Sequence, residues 1–163
     1  MTSSHPWSLT ISQAHHLLAN KQLSAIELTK SVLERIKHTD SKLKSFITVT
    51  EEYALQSAAK ADSMISNGEQ TMLTGIPFQA KDNICTNSIA TTCASKMLEN
   101  FVPNYDATGV TKLKSKGAVL LGKGNLDEFA MGSSTEILCF SRRKTLMTLI
   151  LCQVEAAEDL LHQ

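Results

Sequence analysis

The sequence feature that most limits the possible folds is a helical segment followed directly by a glycine and an apolar strand. Residues 108–116 have the pattern of a short helix, Gly117 ends it, and residues 118–121 are Ala-Val-Leu-Leu. This order is typical of chains in which helices cover a buried sheet. The sequence therefore predicts an α/β fold. The glycines of residues 122–124 predict a turn after the strand, and a short helix is expected from Asn125 through Ala130.

Capping residues predict a helical layer in the first third of the chain. Thr10 is followed three residues later by Gln13, and Ser24 is followed at the same spacing by Glu27. Each pair has the form of a capping box, in which the two side chains bond to free amides at a helix start. Two helices are therefore expected, the second with an apolar face.

A short strand and a third helix are expected next. Residues 46–49 are rich in β-forming side chains, and residues 51–66 have a helical pattern that closes at Asn67 and Gly68. Thr50 is predicted to cap this third helix, and Asp106 or Thr108 is predicted to cap the helix over 108–116.

Charge and composition exclude several classes of protein. Sixteen basic and sixteen acidic residues give a net charge of zero, so bulk electrostatics favours neither nucleic acid nor an anionic membrane as a direct partner. The four cysteines are scattered, and the first 30 residues contain no arginine and no long apolar run. We therefore expect a cytoplasmic protein with reduced thiols, no secretory leader, no metal site and no membrane contact.

Lys81 is the first candidate for chemistry. It lies with Asp82 and Asn83 at the end of the apolar segment 76–80. A lysine drawn into a dry site loses its proton more readily and can then act as a base. A lysine beside an aspartate is also typical of a surface ion pair, and the residues alone leave both interpretations open.

A second candidate region combines hydroxyls with small residues. We predict Met131, Gly132, Ser133 and Ser134 as substrate-binding residues, because this loop offers hydroxyls and backbone N–H groups; a capped connecting loop is the alternative. Cys93 lies among small residues with no histidine near it in sequence, which favours packing over a nucleophilic role.

The order of these motifs gives the chain a family resemblance. Five runs occur in order along the chain: Gly75-Ile76-Pro77, Lys81-Asp82-Asn83, residues 91–95 (TTCAS), residues 105–108 (YDAT) and residues 122–136 (GKGNLDEFAMGSSTE). Through these runs, residues 8 to 136 closely resemble the amidase-signature family and, within it, the A subunits of glutamyl-tRNA(Gln)/aspartyl-tRNA(Asn) amidotransferases. The resemblance implies the first part of a mixed sheet flanked by helices.

The resemblance also implies a reaction. In this family a lysine, matching Lys81, takes a proton through a bridging serine from a nucleophilic serine, which attacks the glutamine side-chain amide and releases ammonia. The implied partners are B and C subunits in a heterotrimer, where ATP and Mg²⁺ serve the amidation of aminoacyl-tRNA. No cofactor is expected on this chain itself.

The resemblance ends at Glu136, so we divide the chain into an amidase part, 1–136, and a divergent tail, 137–163. The family continues with a glycine- and serine-rich loop and, further on, a Gly-Gly-Ser element that bears the nucleophile, whereas the tail contains neither glycine nor proline. Codons can be chosen for residues 152–161 that, regrouped by one base, encode Pro-Gly-Gly-Ser-Ser-Gly-Gly-Ser-Ala. We therefore expect the tail to be read out of frame and the chain to be inactive. A genuine C-terminal helix is the alternative.

Two other functions remain open. One is a different amidase-signature hydrolase that acts on a small amide. The other is a fragment without catalytic activity that binds the partner subunits.

Overall fold

Helices and short strands alternate along the computed structural model, which describes residues 5–132. The helices are α1 (Ile11–Ala19), α2 (Ala25–Leu43), α3 (Glu51–Ser66) and α4 (Thr108–Ser115), and the strands are β1 (Phe46–Val49), β2 (Pro77–Lys81) and β3 (Val119–Gly124). Short 3-10 turns occupy Pro6–Ser8, Lys96–Leu98 and Glu128–Ala130.

The three strands form one mixed sheet in the order β1-β3-β2. β3 lies in the centre, antiparallel to β1 and parallel to β2. Its six residues are all buried, as expected for a strand with neighbours on both sides. The predicted α/β class, with helices followed by the first strands of a mixed sheet, is confirmed.

The helix starts of α1 and α2 follow the predicted capping boxes. The Gln13 amide donates to Thr10 Oγ1 at 3.3 Å, and the Glu27 amide donates to Ser24 Oγ at 3.1 Å. Both reciprocal bonds to the N-cap amides are also present. At α2 a distant side chain adds to the cap, since Asp62 Oδ1 accepts from the Ala25 amide at 2.6 Å. This bond ties α3 to the start of α2.

The main core lies between α1, α2, α3 and one face of the sheet. α3 contributes small side chains, so the helices approach the sheet closely: Ala54, Ala58 and Ala61 are fully buried. Val119 and Leu121 face this core from β3. A second, smaller cluster forms on the other face around Ala80, Ile89 and Leu120. Lys123, which pairs with Ala80 across β2 and β3, lies on that second face.

Three local predictions were wrong, and a fourth was right only in part. Residues 122–124 continue β3 and do not form a turn, because this segment pairs with β1 and β2. In place of the helix expected from Asn125 through Ala130, the structure has a 3-10 turn over Glu128–Ala130, in which Phe129 has a left-handed φ of 53°. Thr50 occupies the N-cap position of α3, as predicted, but its side chain makes no capping bond. Ala107 rather than Asp106 or Thr108 occupies the N-cap position of α4.

Among the helices within residues 5–132, none combines the length and apolar character that crossing a membrane would require. The boundary predicted at Glu136 and the divergent tail lie outside the described residues.

Candidate functional site

Lys81 is the last residue of β2 and is exposed to solvent. In the parallel pairing it lies opposite Gly124, one step beyond the pair of Ala80 and Lys123. Because side chains alternate along a strand, Lys81 and the buried Ala80 point to opposite faces of the sheet. Within residues 5–132, Lys81 is an exposed residue at the end of the strand. Its catalytic role stays a prediction.

Asp82, the next residue, is fully buried and closely held. Its Oδ2 accepts from the Thr92 amide at 2.9 Å and from the Thr92 hydroxyl at 2.5 Å. Its backbone amide donates to the Gly124 carbonyl at 3.0 Å, and its carbonyl accepts from the Cys93 amide at 3.2 Å. Asp82 therefore joins the end of β2 to β3 and to the loop around residue 92.

A second lysine, Lys123, lies inside this region with 0% of its side chain exposed. Its Nζ donates to the Ile84 carbonyl and to Thr91 Oγ1, both at 2.8 Å, and lies 3.5 Å from Asp82 Oδ1. Burial lowers the pKa of Lys123, while the negative charge of Asp82 acts in the opposite direction. We call Asp82, Thr91, Thr92 and Lys123 the strand-end network.

Sequence reasoning missed Lys123 because glycines on both sides made residues 122–124 resemble a turn. The apolar run over residues 118–121 was the available signal, since a strand can continue through glycine where another backbone approaches closely. Here Thr48 O lies 2.2 Å from where a Cβ on Gly122 would be. The glycine therefore permits close pairing with β1.

Hydrogen bonds connect the segment that follows Thr92 to the loop after β3. The Phe129 amide donates to the Cys93 carbonyl at 2.9 Å, and Ser95 Oγ donates to Glu128 Oε1 at 2.5 Å. Both partner segments contain non-glycine residues in the left-handed region, with φ of 52° at Cys93 and 53° at Phe129. Such conformations are uncommon and are often found at functional sites. Three motifs separated in sequence thus meet here.

The predicted substrate-binding residues are partly placed. Met131 is 77% exposed, and Gly132 lies so close to Asp127 that an added Cβ would be 2.7 Å from the Asp127 carboxylate. Ser133 and Ser134 lie outside the described residues. A substrate-binding role therefore remains a prediction for all four of these residues.

The Cys93 thiol has the character of a packing residue. Burial raises its pKa, and the nearby Asp82 carboxylate raises it further. A thiol with a raised pKa stays protonated near neutral pH and is a poor nucleophile. Across the described part of the chain, no group of three or more His, Cys, Asp or Glu side chains is placed to hold a metal.

Comparison with known proteins identifies the family. The Amidase family model matches residues 27–145, a range that continues past Glu136. The A subunit of the glutamyl-tRNA(Gln) amidotransferase from Thermoanaerobacter pseudethanolicus is 56% identical over 138 residues, which cover 85% of this chain. The chain belongs to the amidase family. The corresponding protein from Dehalococcoides mccartyi is 57% identical over 128 residues, covering 78% of this chain and 26% of that protein.

Solved amidase structures share the fold. Peptide amidase from Stenotrophomonas maltophilia is 34% identical to this chain with a TM-score of 0.72, over 77% of this chain and 26% of the amidase. An amidase family protein from Bacillus anthracis gives a TM-score of 0.69 at 32% identity, over 74% of this chain and 25% of that protein. The chain spans about 28% of the length of the first curated relative. Residues 5–132 thus correspond to a part of the amidase fold.

Proposed function

We propose that the gene encodes the A subunit of an aminoacyl-tRNA amidotransferase, which hydrolyses glutamine and supplies ammonia for converting Glu-tRNA(Gln) or Asp-tRNA(Asn) to the amidated form. The names and the identities of the relatives from Thermoanaerobacter pseudethanolicus and Dehalococcoides mccartyi support this function. The proposal extends beyond the matched region, because the chain covers only 28% of the first relative.

The observation that carries the proposal is the meeting of three family motifs at the end of β2. Lys81 follows the buried Ala80, Asp82 bonds to Thr92, and the Cys93 carbonyl accepts from the Phe129 amide. Within this proposal, Lys81 is the base that receives a proton through a bridging serine. A neutral lysine in this position takes the part that histidine has in other serine hydrolases.

The serines of the triad would come from two segments that the family carries after the matched region, namely the glycine- and serine-rich loop and, further on, a Gly-Gly-Ser element that bears the nucleophile. Residues 137–163 contain no glycine, so the 163-residue chain is proposed to be inactive by itself. We propose further that the tail is read out of frame. The nucleotide sequence around codons 135 to 165 tests this, and a shifted frame that does not continue as an open amidase frame would contradict it.

The proposed partners are B and C subunits in a heterotrimer located in the cytoplasm. The net charge of zero supports binding of the tRNA by one of these partners, because this chain has no excess of positive charge that would attract RNA. ATP and Mg²⁺ would act in that partner, and glutamine would be the small-molecule substrate of the A subunit.

A second candidate function is hydrolysis of a small amide without partner subunits. The similarity to peptide amidase, 34% identical with a TM-score of 0.72, favours this alternative over unrelated chemistries. The higher identity of 56% to an amidotransferase component favours the first proposal. The two functions differ in their substrate and in their need for partners, and the following experiment separates them.

The experiment measures ammonia release from glutamine by the heterotrimer, in which the protein is bound to its B and C subunits. We expect the 163-residue chain to release none, and the product of the shifted reading frame to release ammonia. Lys81→Ala should lower that rate by about 10³-fold or more, as for loss of a member of a catalytic triad. Lys112→Ala, at an exposed lysine of α4, is the matched control.

Three results would contradict the proposal. Full glutaminase activity in Lys81→Ala would remove Lys81 from the mechanism. Hydrolysis of peptide amides by the protein without its partners, with no hydrolysis of glutamine in the complex, would support the second candidate. Binding of the 163-residue chain to the B and C subunits, with no activity from either reading frame, would indicate a non-catalytic binding role.

A further inference from the structure

Lys123 is a charged residue in the central strand with no exposed surface. A buried ammonium is costly unless each of its protons meets an acceptor. Here the Ile84 carbonyl and the Thr91 hydroxyl accept at 2.8 Å, and Asp82 Oδ1 lies at 3.5 Å. Thr91 Oγ1 donates its own proton to the Ile89 carbonyl at 3.2 Å, so it can only accept from Lys123. The groups around the Lys123 ammonium are therefore hydrogen-bond acceptors, as a buried donor requires.

A β-bulge directs Lys123 toward this interior. Phe78 pairs with Leu120 and Gln79 pairs with Gly122, so Leu121 is the extra residue in β3. Paired residues of parallel strands share a face, and Lys123 therefore lies on the face of its partner Ala80. Without the bulge, alternation would place Lys123 with Val119 and Leu121 in the main core. A bulge is a recognised means of redirecting a side chain.

The three contacts of Lys123 lie at separate points of the segment that follows β2. Asp82 begins the segment, Ile84 lies two residues further on, and Thr91 lies near its end. Asp82 also accepts two bonds from Thr92, so the two ends of the segment are held together. Asp82 Oδ1 makes no hydrogen bond within the described residues and lies 3.5 Å from Lys123 Nζ. Lys123 is thus the charge that balances Asp82.

We propose that Lys123 is a positioning residue for Lys81. Asp82 is fixed in the interior by Lys123 and Thr92, and Lys81 precedes it on the alternating strand, so Lys81 is directed to the opposite face. This inference rests on the proposed catalytic role of Lys81. Lys123 is fully buried, and among residues 5–132 it donates to the Ile84 carbonyl and the Thr91 hydroxyl, so we assign it a positioning role and not a catalytic one.

The test compares Lys123→Met with the unchanged 163-residue chain by residue-resolved amide hydrogen exchange. Methionine keeps the length and removes the charge. We expect the amides of Asp82, Ile84 and Thr92 to exchange at least about tenfold faster relative to the α3 amides, because local opening of the segment becomes easier. Lys112→Met, on the exposed face of α4, should leave both sets unchanged.

A second readout follows the side chain of Lys81 directly. Its NMR signals, assigned by their loss in Lys81→Arg, should shift in Lys123→Met and remain in place in Lys112→Met. Should Lys123→Met fail to fold, Asp82→Asn provides the milder variant. It keeps the shape and an acceptor for Thr92 but removes the charge opposite Lys123, and the same changes in exchange and in the Lys81 signals are expected.

One result would overturn the proposal: Lys123→Met accelerates exchange equally in α3 and in the segment after β2 and leaves the Lys81 signals in place. Lys123 would then stabilise the fold without positioning Lys81. Unchanged exchange in both would overturn it too. The ammonia assay tests the catalytic role of Lys81 independently of the positioning role of Lys123. Activity that does not depend on Lys81 would refute the catalytic role even if Lys123 holds the segment as described.

Discussion

The helical layer, formed by α1, α2 and α3, and the strand-end network are stabilised in different ways. The layer is packed from small and aliphatic side chains, with Ala54, Ala58 and Ala61 fully buried against the sheet. The network is equally buried but polar, with Asp82 and Lys123 both at 0% exposure. The layer therefore depends on shape and periodicity, whereas the network depends on individual hydrogen bonds between residues distant in sequence.

This difference has an energetic consequence. In an apolar layer, removing a side chain costs the free energy of its burial and of the cavity it leaves, and neighbours relax partly into the space. In a polar network, removing one partner leaves another buried group without its bond, which costs more per atom removed. The two regions should therefore respond differently to substitutions of similar size.

The largest effect is expected at Gly122, which follows the bulge residue Leu121 in β3 and pairs with Val49 of β1. Its φ is +156°, and an added Cβ would lie 2.2 Å from Thr48 O and 3.0 Å from the Val49 Cα. Gly122→Ala must therefore push β1 away from β3, and we expect a loss of at least about 4 kcal/mol in the free energy of unfolding, in the range of severe single substitutions. Denaturant unfolding monitored by circular dichroism measures it.

Gly109→Ala is the matched control for this change. Gly109 lies in α4 with open space around its Cα, so alanine there should stabilise the chain by up to about 1 kcal/mol through helix propensity. Similar unfolding midpoints for Gly122→Ala and Gly109→Ala would show that β1 yields easily. The network would then not depend on close pairing of β1 with β3.

Sequence could predict the helical layer because its determinants are local. The boxes at Thr10 and Ser24 and the strand at residues 46–49 each lie within a few residues of what they determine. The same reasoning failed for Thr50, since a capping residue type does not ensure the capping geometry. Local signals thus indicate where a helix begins more reliably than which bond begins it.

The candidate site was predictable only as a set of motifs. The family resemblance indicated Lys81 and the loop around Met131, but Lys123 was hidden in a glycine pattern that resembles a turn. Its role depends on the bulge at Leu121 and on a partner such as Thr91, 32 residues away in sequence. No local pattern encodes which distant acceptor a buried lysine will meet, so this part required the structure.

A smaller effect tests whether caps in the helical layer act as the structure indicates. Ser24→Ala removes a hydroxyl that accepts from the Glu27 amide at 3.1 Å, and we expect a loss of about 1 kcal/mol. Thr50→Ala removes a hydroxyl that makes no capping bond and lies 3.5 Å from the Leu120 carbonyl, so we expect a change within about 0.5 kcal/mol. Thermal and denaturant unfolding of both variants measure the contrast, and an equal loss in both would contradict the assignment of caps.

The smallest effect concerns the pH dependence of the same cap. Bonds from the Ser24 backbone amide and then the Ser24 hydroxyl hold the pKa of Glu27 below its usual value of 4.5. The unfolded chain therefore binds more protons than the folded chain between the two pKa values, and stability rises with pH across that window. The contribution of Glu27 is complete above pH 4.5 and is lost as the pH falls through the folded pKa.

The difference in unfolding free energy between the unchanged chain and Glu27→Ala should accordingly shrink as the pH is lowered from 7 to 3. Glu34→Ala is the control for the loss of one exposed glutamate from α2. A difference that stays constant over this range would mean that the carboxylate charge adds nothing to the cap, and that α2 starts at Ser24 through its hydroxyl and Asp62 alone.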